Sequence, residues 1–254
     1  MNLKIQQFVI IITILLFASC KETPTNLSKI ATKNIAIDST LISIDSVEKF
    51  IAPYRKRVDE VLDSTLAYSP TIITKEDGEY NTSAGNLMAD IILSEANPIF
   101  KSRSGKDFDF VLLNHGGIRS IISKGNVSAR TAYEVMPFDN SIVVVELPGK
   151  SVLEMIDFLI RSKRAHPVAG MQIILDRNDK LKSLKIQGRS FNENRNYYVA
   201  TSNYLVTGGD NMGFFKGMLN ATETDYLIRN AMIDYFMKVD TLKSPIDDRF
   251  FKLK

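Results

Sequence analysis

The chain has 254 residues, of which 44% are apolar and 24% charged, a globular composition that excludes a disordered chain and leaves room for a sizeable core. Its formal charge of +3 comes from 32 Lys and Arg against 29 Asp and Glu, too small an excess to favour nucleic-acid binding. One cysteine and two histidines exclude a disulfide framework, a cysteine-based zinc cluster and any site that needs three histidines.

The first twenty residues predict a secretory signal. Phe8–Phe17 is a nearly unbroken apolar run, too short for a comfortable membrane span, and Ala18-Ser19 follow it directly before Cys20. This arrangement resembles a bacterial lipoprotein signal, in which the cysteine becomes the acylated N-terminus. An ordinary signal peptide with an incidental cysteine is the alternative. We therefore expect residues 1–19 to be a lipoprotein signal peptide and Cys20 to be lipidated.

The segment after the signal is polar and predicts a tether over residues 20–45, which lifts a folded domain, residues 46–254, off the membrane. Two pairs of isoleucines in the tether have the spacing of one face of a short strand: Ile35 with Ile37, and Ile42 with Ile44. The expected location is the cell envelope of a Gram-negative-type bacterium, lipid-anchored on the periplasmic face or at the cell surface.

Helices and strands are interleaved along the rest of the chain. Helical spacing of apolar residues predicts four helices: 50–66, one from Thr82 or Ser83 to Asn97-Pro98, one from Val152 to Lys163, and a last one from Thr224 or Asp225. Apolar runs predict strands at 71–73, 108–113, 141–147, 171–175, 181–186 and 197–201, of which 141–147 has the strongest signal because it contains three consecutive valines. The predicted class is α/β or α+β, in one layered domain.

The first segment that suggests chemistry is Leu112–Arg119 (LLNHGGIR). An apolar strand runs into Gly116 and Gly117, and glycines at a strand end let a ligand approach the backbone closely. Arg119 follows and can fork onto a phosphate or a carboxylate. The alternative is a tight turn followed by a surface arginine.

The second segment is Met136–Asn140 (MPFDN), directly before the valine-rich strand. A Pro-Phe-x-Asn turn places Phe138 where its ring can be exposed. An exposed aromatic ring stacks on a planar ligand for roughly 1–3 kcal/mol per base. The alternative is that Phe138 folds back into the core.

The third segment is Thr201–Asp210 (TSNYLVTGGD), in which a strand leads to Tyr204, two glycines and a carboxylate. Asp210 can accept hydrogen bonds from two adjacent hydroxyls, as on a ribose edge, or can be a solvated turn residue. Together the three segments predict one site with two aromatic rings for a base, a carboxylate for a sugar and an arginine for a phosphate.

In this order, the three segments resemble the C-terminal domain of the 5'-nucleotidase family. The resemblance covers roughly Ser83–Gly217, from Gly85-Asn86-Leu87 at the opening of the first family helix to the TGGD turn. It implies an α/β (α+β) fold, a single layered domain of mixed sheet and helices.

The resemblance also implies roles for individual residues. Phe138 and Tyr204 match the two aromatics that stack on either face of the base, with tyrosine in place of the more usual phenylalanine at 204. Asp210 matches the carboxylate that holds the ribose hydroxyls, and Asn114 and Asn140 match polar residues near the base or sugar. The other matching positions are a phosphate-side arginine and four glycines that shape the pocket: Arg119, Gly116, Gly117, Gly208 and Gly209.

One departure concerns the phosphate end of the site. The family usually carries a further arginine shortly before the first helix, whereas residues 74–79 contain only Lys75 as a basic residue. The nucleoside half of the site is therefore expected to be better kept than the phosphate half.

In this family the chemistry belongs to a separate N-terminal metallophosphatase domain, in which two metal ions activate water. Its motifs D-x-H, G-N-H-E and G-H-x-H do not occur here, and His115 and His166, which we expect to be turn residues, cannot supply its ligands. A Ser-His-Asp triad has no G-x-S-x-G elbow. The resemblance therefore implies that this chain binds no cofactor itself, and that the divalent metals belong to a partner metallophosphatase chain.

Three hypotheses follow for the function. In the first, the chain is the nucleotide-binding half of a split 5'-nucleotidase that hydrolyses 5'-nucleotides or nucleotide sugars together with a metallophosphatase chain. In the second, it is a non-catalytic envelope lipoprotein that binds nucleosides. In the third, it is an interaction lipoprotein with a decayed site. The expected partners are a nucleotide or nucleoside, a metallophosphatase and a membrane, but not a nucleic acid.

Overall fold

The computed structural model describes residues 3–17, 27–38 and 40–254. The chain divides into two compact units, Met1–Phe50 and Ile51–Lys254. Helix α1, Leu3–Phe17, lies in the first unit and coincides with most of the apolar part of the predicted signal. Among the described residues, no helix combines the length and the hydropathy needed to cross a bilayer.

The predicted tether contains no strand in residues 27–38 and 40–44, so the expectation of a short strand at the isoleucine pairs was wrong. Ile37 and Ile42 are 89% and 96% exposed. Two apolar residues spaced by two stabilise a strand only when a neighbouring strand pairs with it and its face is buried. Cys20 lies outside the described residues, so its lipidation remains a prediction.

The second unit alternates helices and strands. Besides α2, Asp45–Leu62, which continues into it from the first unit, the helices are α3 Ser83–Ser104, α4 Ala129–Val135, α5 Gly149–Ser162, α6 Asn203–Val206 and α7 Ile228–Lys238. The strands are β1 Thr65–Ser69, β2 Phe110–Leu112, β3 Gly125–Ser128, β4 Ser141–Pro148, β5 Val168–Ala169, β6 Met171–Leu175, β7 Leu181–Ile186, β8 Arg189–Ser190, β9 Asn196–Ser202, β10 Asn220–Leu227 and β11 Phe250–Lys252.

The centre of the domain is a five-stranded mixed sheet in the order β10-β4-β9-β2-β5. β2 and β9 run parallel to each other, and every other neighbouring pair is antiparallel. The predicted α/β class, a layered domain of mixed sheet and helices, is therefore confirmed.

Both faces of this sheet are buried, as the valine-rich sequence of β4 predicts. Ile142 and Val144 point into one core, which α3 and α7 complete. Val143 and Val145 point into the other core, which α5 completes together with the four-stranded sheet β11-β6-β7-β8. Because successive side chains of a strand alternate between faces, a run of apolar residues serves both cores at once.

Helix α3 differs from the prediction at its end. Thr82 caps it as expected, since its side chain accepts from the backbone N–H of Gly85, but the helix passes through Pro98 and ends at Gly105 in a left-handed conformation (φ 72°). Phe100, 1% exposed, packs against the rings of Phe108 and Tyr198. We infer that this burial outweighs the hydrogen bond that proline removes.

The last helix also begins later than predicted, at Ile228, because Thr224 and its neighbours extend the sheet. β10 pairs with β4, and the hydroxyl of buried Thr224 donates to the carbonyl of Ile142 at 2.6 Å. A threonine before an apolar helical pattern resembles an N-cap in sequence, but this threonine is part of a strand.

The N-terminal part of the second unit carries a third difference. Helix α2 is displaced toward the N-terminus relative to the predicted 50–66, and β1 follows it as an unpredicted strand that pairs with β3. The predicted strand at 71–73 is reduced to one bridge between Ile73 and Ile122. Arg130 in α4 forms ion pairs with Asp59 and Asp63 of α2.

Candidate functional site

Sheet topology brings the three motif segments to one edge. β2 and β9 are parallel neighbours, so Asn114 after β2 and Tyr204 after β9 lie beyond the same edge of the sheet. β4 runs antiparallel to β9, so Phe138 just before β4 lies at that edge as well. Ligands in open mixed sheets commonly bind beyond the carboxyl ends of parallel strands.

A cavity of about 260 Å³ lies where the segments meet. Eight of the ten predicted pocket residues line it: Asn114, Gly116, Gly117, Arg119, Phe138, Asn140, Tyr204 and Asp210. The other two, Gly208 and Gly209, lie in the turn that leads to Asp210.

The two aromatic side chains are available at this cavity. Phe138 is 41% exposed and Tyr204 is 43% exposed, so Phe138 does not fold back into the core. The guanidinium carbon of Arg119 lies 5.8 Å from the centroid of the Phe138 ring, and its Nη1 donates to the Gly116 carbonyl at 3.4 Å. The Arg119 cation therefore lies over the ring of Phe138.

Asp210 is held by two side chains of the same cavity. The Nδ2 of buried Asn114 donates to Oδ2 of Asp210 at 2.7 Å. The hydroxyl of Tyr204 donates to Oδ1 of Asp210 at 3.1 Å. The carboxylate is exposed and retains acceptor capacity on both oxygens, so it can still bind a pair of hydroxyls.

The turn before Asp210 has an unusual backbone. Gly208 has φ 101°, and Asp210 and Asn211 are in the left-handed region at φ 51° and 59°. Gly209 lies against Tyr204, because a Cβ on it would come within 2.5 Å of the Cε1 and Cζ ring atoms. The glycine pair predicted from sequence thus serves two purposes, a left-handed backbone and a close approach to the ring.

The Phe138 loop is anchored by a residue that sequence reasoning did not identify. Arg229, in the first turn of α7, is 7% exposed, and its Nη1 donates to the carbonyls of Phe138 at 3.2 Å and Met136 at 3.5 Å. Its Nη2 donates to Asp139 at 2.6 Å, and its guanidinium lies 4.2 Å from the centroid of the Tyr133 ring. A charged residue among the apolar residues of a helix is the one sequence signal that could have drawn attention to it.

Asn203 anchors the opposite segment. Its Oδ1 accepts from the backbone N–H of Ser141 at 3.2 Å and from that of Tyr204 at 2.8 Å. It therefore joins the start of β4 to the first turn of α6. Sequence reasoning missed this contact because it links residues that are far apart in the chain.

The two histidines are in contact at the turn that follows β2. His115 opens that turn, and its backbone N–H donates to Nδ1 of His166 at 3.3 Å. His166 lies in a loop, as expected of a turn residue, but it is buried and its ring centroid is 5.7 Å from that of Phe158. Burial, reinforced by the charge of His115, lowers the pKa of His166 to about 4, so this histidine is neutral at pH 7.

The predicted basic residues at the phosphate end are Arg119 and Lys75. The Nζ of Lys75 donates to the carbonyl of Ile118 at 2.7 Å, so it lies beside the NHGGIR turn, but Lys75 does not line the cavity. Arg119 is exposed and lines the cavity. The arrangement can stack a planar ring, accept hydrogen bonds from hydroxyls and present one cationic side chain to an anion.

Comparison with known protein families decides the family. Residues 64–217, more than half of the chain, match the model of the 5'-nucleotidase C-terminal domain. This chain belongs to the 5'-nucleotidase family. The match covers all three segments that form the cavity.

Relatives of this 5'-nucleotidase C-terminal domain are longer proteins. Protein UshA of Escherichia coli is 28% identical over 149 residues, 58% of this chain and 26% of that protein. The 5'-nucleotidase of Vibrio vulnificus is 23% identical over 239 residues, 88% of this chain and 40% of that protein. The cell wall protein Lmo0130 of Listeria monocytogenes is 23% identical over 180 residues, 64% of this chain and 23% of that protein.

Among solved structures, a 5'-nucleotidase precursor from Thermus thermophilus superimposes with a TM-score of 0.68 at 20% identity. The superposition covers 82% of this chain and 43% of that one, so it shows the fold. The 5'-nucleotidase C-terminal domain described here thus spans less than half the length of these relatives.

Metal binding depends on the side-chain donors that this 5'-nucleotidase domain provides. No group of three or more His, Cys, Asp or Glu side chains among the described residues is arranged to hold a metal ion. His115 and His166 interact with each other and with backbone groups. The residues present do not fit the two-metal centre that the family resemblance implies for a metallophosphatase domain.

Proposed function

We propose that this chain is the substrate-binding half of a split 5'-nucleotidase. It binds the nucleoside portion of a 5'-nucleotide or nucleotide sugar, and a separate metallophosphatase chain supplies the divalent metals and hydrolyses the phosphate ester. The observation that carries this proposal is the convergence of Phe138, Tyr204 and Asp210 on one cavity of about 260 Å³.

The two aromatic rings support recognition of a base. Both are well exposed although each is a large apolar group, and they come from segments 66 positions apart in the sequence that the sheet brings together (138 to 204). Stacking is tolerant of base identity because every base has a π-face. The cavity therefore suits a class of nucleosides and not a single one.

The carboxylate supports recognition of a sugar. Asp210 is exposed at the cavity and is oriented by Asn114 and Tyr204. Adjacent ribose hydroxyls donate hydrogen bonds to such a carboxylate, and charge-assisted hydrogen bonds of this kind are among the stronger ones. Asn140 adds a further polar side chain to the lining.

The partner chain is inferred from what the described residues do not supply. Hydrolysis of a phosphate ester in this family needs a metal centre, for which these residues have no suitable donor set. Arg119 is the cationic side chain of the cavity lining and can guide the phosphate toward the partner's metals.

The binding step is tested by calorimetric titration of the full-length chain, kept in mild detergent, with adenosine. We expect binding by the parent chain and its loss in Tyr204→Ala and in Asp210→Asn. Tyr68→Ala, which removes a similarly exposed tyrosine outside the cavity lining, is the matched control and should bind normally. If the parent chain binds neither adenosine nor AMP, the proposal is wrong.

The split enzyme is tested separately from binding. AMP hydrolysis is measured for a candidate metallophosphatase chain alone and with this chain added. We expect faster hydrolysis in the mixture, and no acceleration with the Asp210→Asn variant. If the mixture hydrolyses AMP no faster than the metallophosphatase alone, the pair does not form a split enzyme.

The second candidate, a non-catalytic nucleoside-binding lipoprotein, is favoured by one observation. Lys75, the basic residue of its segment, does not line the cavity, so the lining presents one cationic side chain, Arg119, for a phosphate but two aromatic rings for a base. This candidate predicts that adenosine binds at least as tightly as AMP. The split enzyme predicts tighter binding of AMP.

We also propose that the chain is anchored in the cell envelope through a lipid on Cys20. The short apolar run and the position of the single cysteine support this, and a similar protein of Listeria monocytogenes is named a cell wall protein. Metabolic labelling with a fatty acid should mark the chain, and Cys20→Ala should remove the label.

A further inference from the structure

The hydroxyl of Tyr204 makes a contact that its aromatic ring alone does not explain. It donates to Oδ1 of Asp210 at 3.1 Å, within the same cavity. We infer that Tyr204 is a positioning residue for Asp210, so that the wall that stacks on a base and the carboxylate that binds a sugar act as one unit. The consequence for ligands rests on the proposed nucleoside binding, whereas the coupling itself is a property of the free protein.

The backbone at Asp210 needs such support. Asp210 is at φ 51°, ψ 25°, and it is exposed, so no surrounding core fixes its conformation. Asn211, the next residue, is at φ 59°, and Gly208, two residues before Asp210, is at φ 101°. Backbone in this region is unfavourable for a residue with a side chain and persists when the surroundings hold it. The two side-chain donors to Asp210 are the contacts that do so.

The direction of the hydroxyl follows from the packing of the Tyr204 ring on Gly209. Gly209 packs so closely on the ring of Tyr204 that a Cβ at this position would lie 2.5 Å from Cε1 and Cζ and 2.6 Å from the Tyr204 carbonyl oxygen. The backbone N–H of Tyr204 is held by Asn203 at 2.8 Å. Packing on Gly209 therefore orients the ring, the ring orients its hydroxyl, and the hydroxyl orients the carboxylate through a hydrogen bond.

The two donors occupy the carboxylate symmetrically. Tyr204 uses one acceptor position on Oδ1, and Asn114 uses one on Oδ2 at 2.7 Å. A carboxylate has about four acceptor positions, so one further hydrogen bond per oxygen remains. This leaves Asp210 poised for a bidentate pair of donors, as two adjacent hydroxyls provide, and loss of the tyrosine hydroxyl frees the carboxylate to rotate.

The test separates the hydroxyl from the ring by Tyr204→Phe, with adenosine and 2',3'-dideoxyadenosine as probes of the full-length chain. We expect the variant to bind adenosine about 5-fold more weakly, roughly the effect of one hydrogen bond. Its affinity for the dideoxynucleoside should stay within about 2-fold of the parent, because the stacking ring remains. The matched control is Tyr68→Phe, outside the cavity lining, which should change neither affinity.

Two results of that titration would overturn the inference. If Tyr204→Phe binds adenosine as tightly as the parent does, the hydroxyl does not position Asp210. If it weakens both nucleosides equally, the substitution acts through the ring or the fold.

A second measurement decides the coupling without any ligand. Amide hydrogen exchange of the free protein should be about 5-fold faster at Asp210 to Met212 in Tyr204→Phe, and unchanged in the turn at His115 to Gly117. Unchanged exchange at Asp210 contradicts the coupling. If the parent chain binds no nucleoside, the proposed function fails, yet this measurement still confirms or overturns the positioning role.

Discussion

The two aromatic walls of the cavity are held in different ways. Phe138 lies on a loop that is fixed from behind by the buried guanidinium of Arg229, which does not line the cavity. Asn203 holds the backbone N–H of Tyr204. The Tyr204 side chain is held by contacts among the cavity residues themselves, through Asp210 and Asn114. The Phe138 wall is supported from outside the cavity lining, whereas the hydroxyl of Tyr204 is bonded to a carboxylate of the lining itself.

Because of this difference, effects on stability and effects on binding can be separated at one wall but not at the other. A substitution behind the Phe138 loop changes the loop without removing any group that a ligand touches. A substitution in the Tyr204 turn removes a support and a ligand contact together. Preorganised sites commonly depend on supporting residues that never contact the ligand, such as Arg229 and Asn203 here. The Tyr204 wall depends in addition on a contact inside the cavity.

The largest effect should come from Arg229→Met, which removes the outside support. The carbonyls of Met136 and Phe138 lose their donor, and Asp139 loses its partner. We expect the free energy of unfolding to fall by about 3 kcal/mol, as unpaired buried polar groups cost about 1–3 kcal/mol each and Nε of Arg229 has no partner in any case. Chemical denaturation measures the loss.

Arg103→Met is the control for that substitution, because Arg103 also holds an ion pair but is 41% exposed in its side chain. It should cost less than about 1 kcal/mol. If Arg229→Met costs no more than this control, the Phe138 loop does not depend on the buried guanidinium, and the contrast between the two walls disappears.

The next effect concerns pH and the buried histidine His166, which packs against Phe158 and the turn after β2. Burial, with the charges of His115 and Arg164, lowers the pKa of His166 from 6.5 to about 4, and the Asp210 carboxylate partly opposes this. The unfolded state therefore binds a proton more readily than the folded state. The contribution to stability is complete above pH 6.5 and is lost as the pH falls toward 4, by up to about 3 kcal/mol.

The measurement is the difference in unfolding free energy between pH 7 and pH 4.5, for the parent chain and for His166→Gln. The glutamine does not titrate, so the variant should lose less stability than the parent over this range. His115→Gln, at the neighbouring position, serves as control and should keep most of the parent's pH dependence. Parallel pH profiles for the parent and His166→Gln would show that His166 does not contribute.

A third, smaller effect should distinguish backbone strain at Gly208 from the contact between Gly209 and the ring of Tyr204. In Gly209→Ala the new Cβ meets the ring and the backbone oxygen of Tyr204, so we expect a loss of about 2 kcal/mol together with weaker nucleoside binding. Gly208→Ala is its neighbour with nothing within 4 Å, so only its φ of 101° should count, for about 1 kcal/mol. Equal losses in denaturation and in titration would mean that the ring contact is unimportant.

The sequence predicted residues that the structure brings together at one cavity, but not the residues that support them. Local motifs identified Phe138, Tyr204 and Asp210, because glycine turns and exposed aromatics next to strands are recognisable within a few residues. Arg229 and Asn203 were missed, since each acts on a segment at least sixty positions away. Such contacts depend on the order of the strands in the sheet, which no local pattern encodes.

The fold shows the same limit. The long valine-rich strand and helix α5 were predicted because their periodicity is strong over many residues. The predicted C-terminus of α3 and the predicted N-terminus of α7 were wrong because tertiary contacts outweighed local signals. Burial of Phe100 continues α3 past a proline, and Thr224 belongs to a strand. Short strands such as β5 and β8, of two residues each, carry too little pattern to predict.

The smallest expected effect decides how the outside support works. Asp139 accepts from Arg229 at 2.6 Å, but its side chain is 80% exposed, so solvent screens this ion pair. Asp139→Ala should therefore cost less than about 1 kcal/mol and leave nucleoside affinity unchanged, because the guanidinium keeps its backbone acceptors. The same denaturation and titration assays measure both quantities. If Asp139→Ala were as damaging as Arg229→Met, the loop would be held by a charge pair at the surface, and salt would loosen the Phe138 wall. If Asp139→Ala has almost no effect, the Phe138 wall is held by hydrogen bonds to backbone carbonyls, which salt does not screen. Only the Tyr204 wall then depends on a carboxylate.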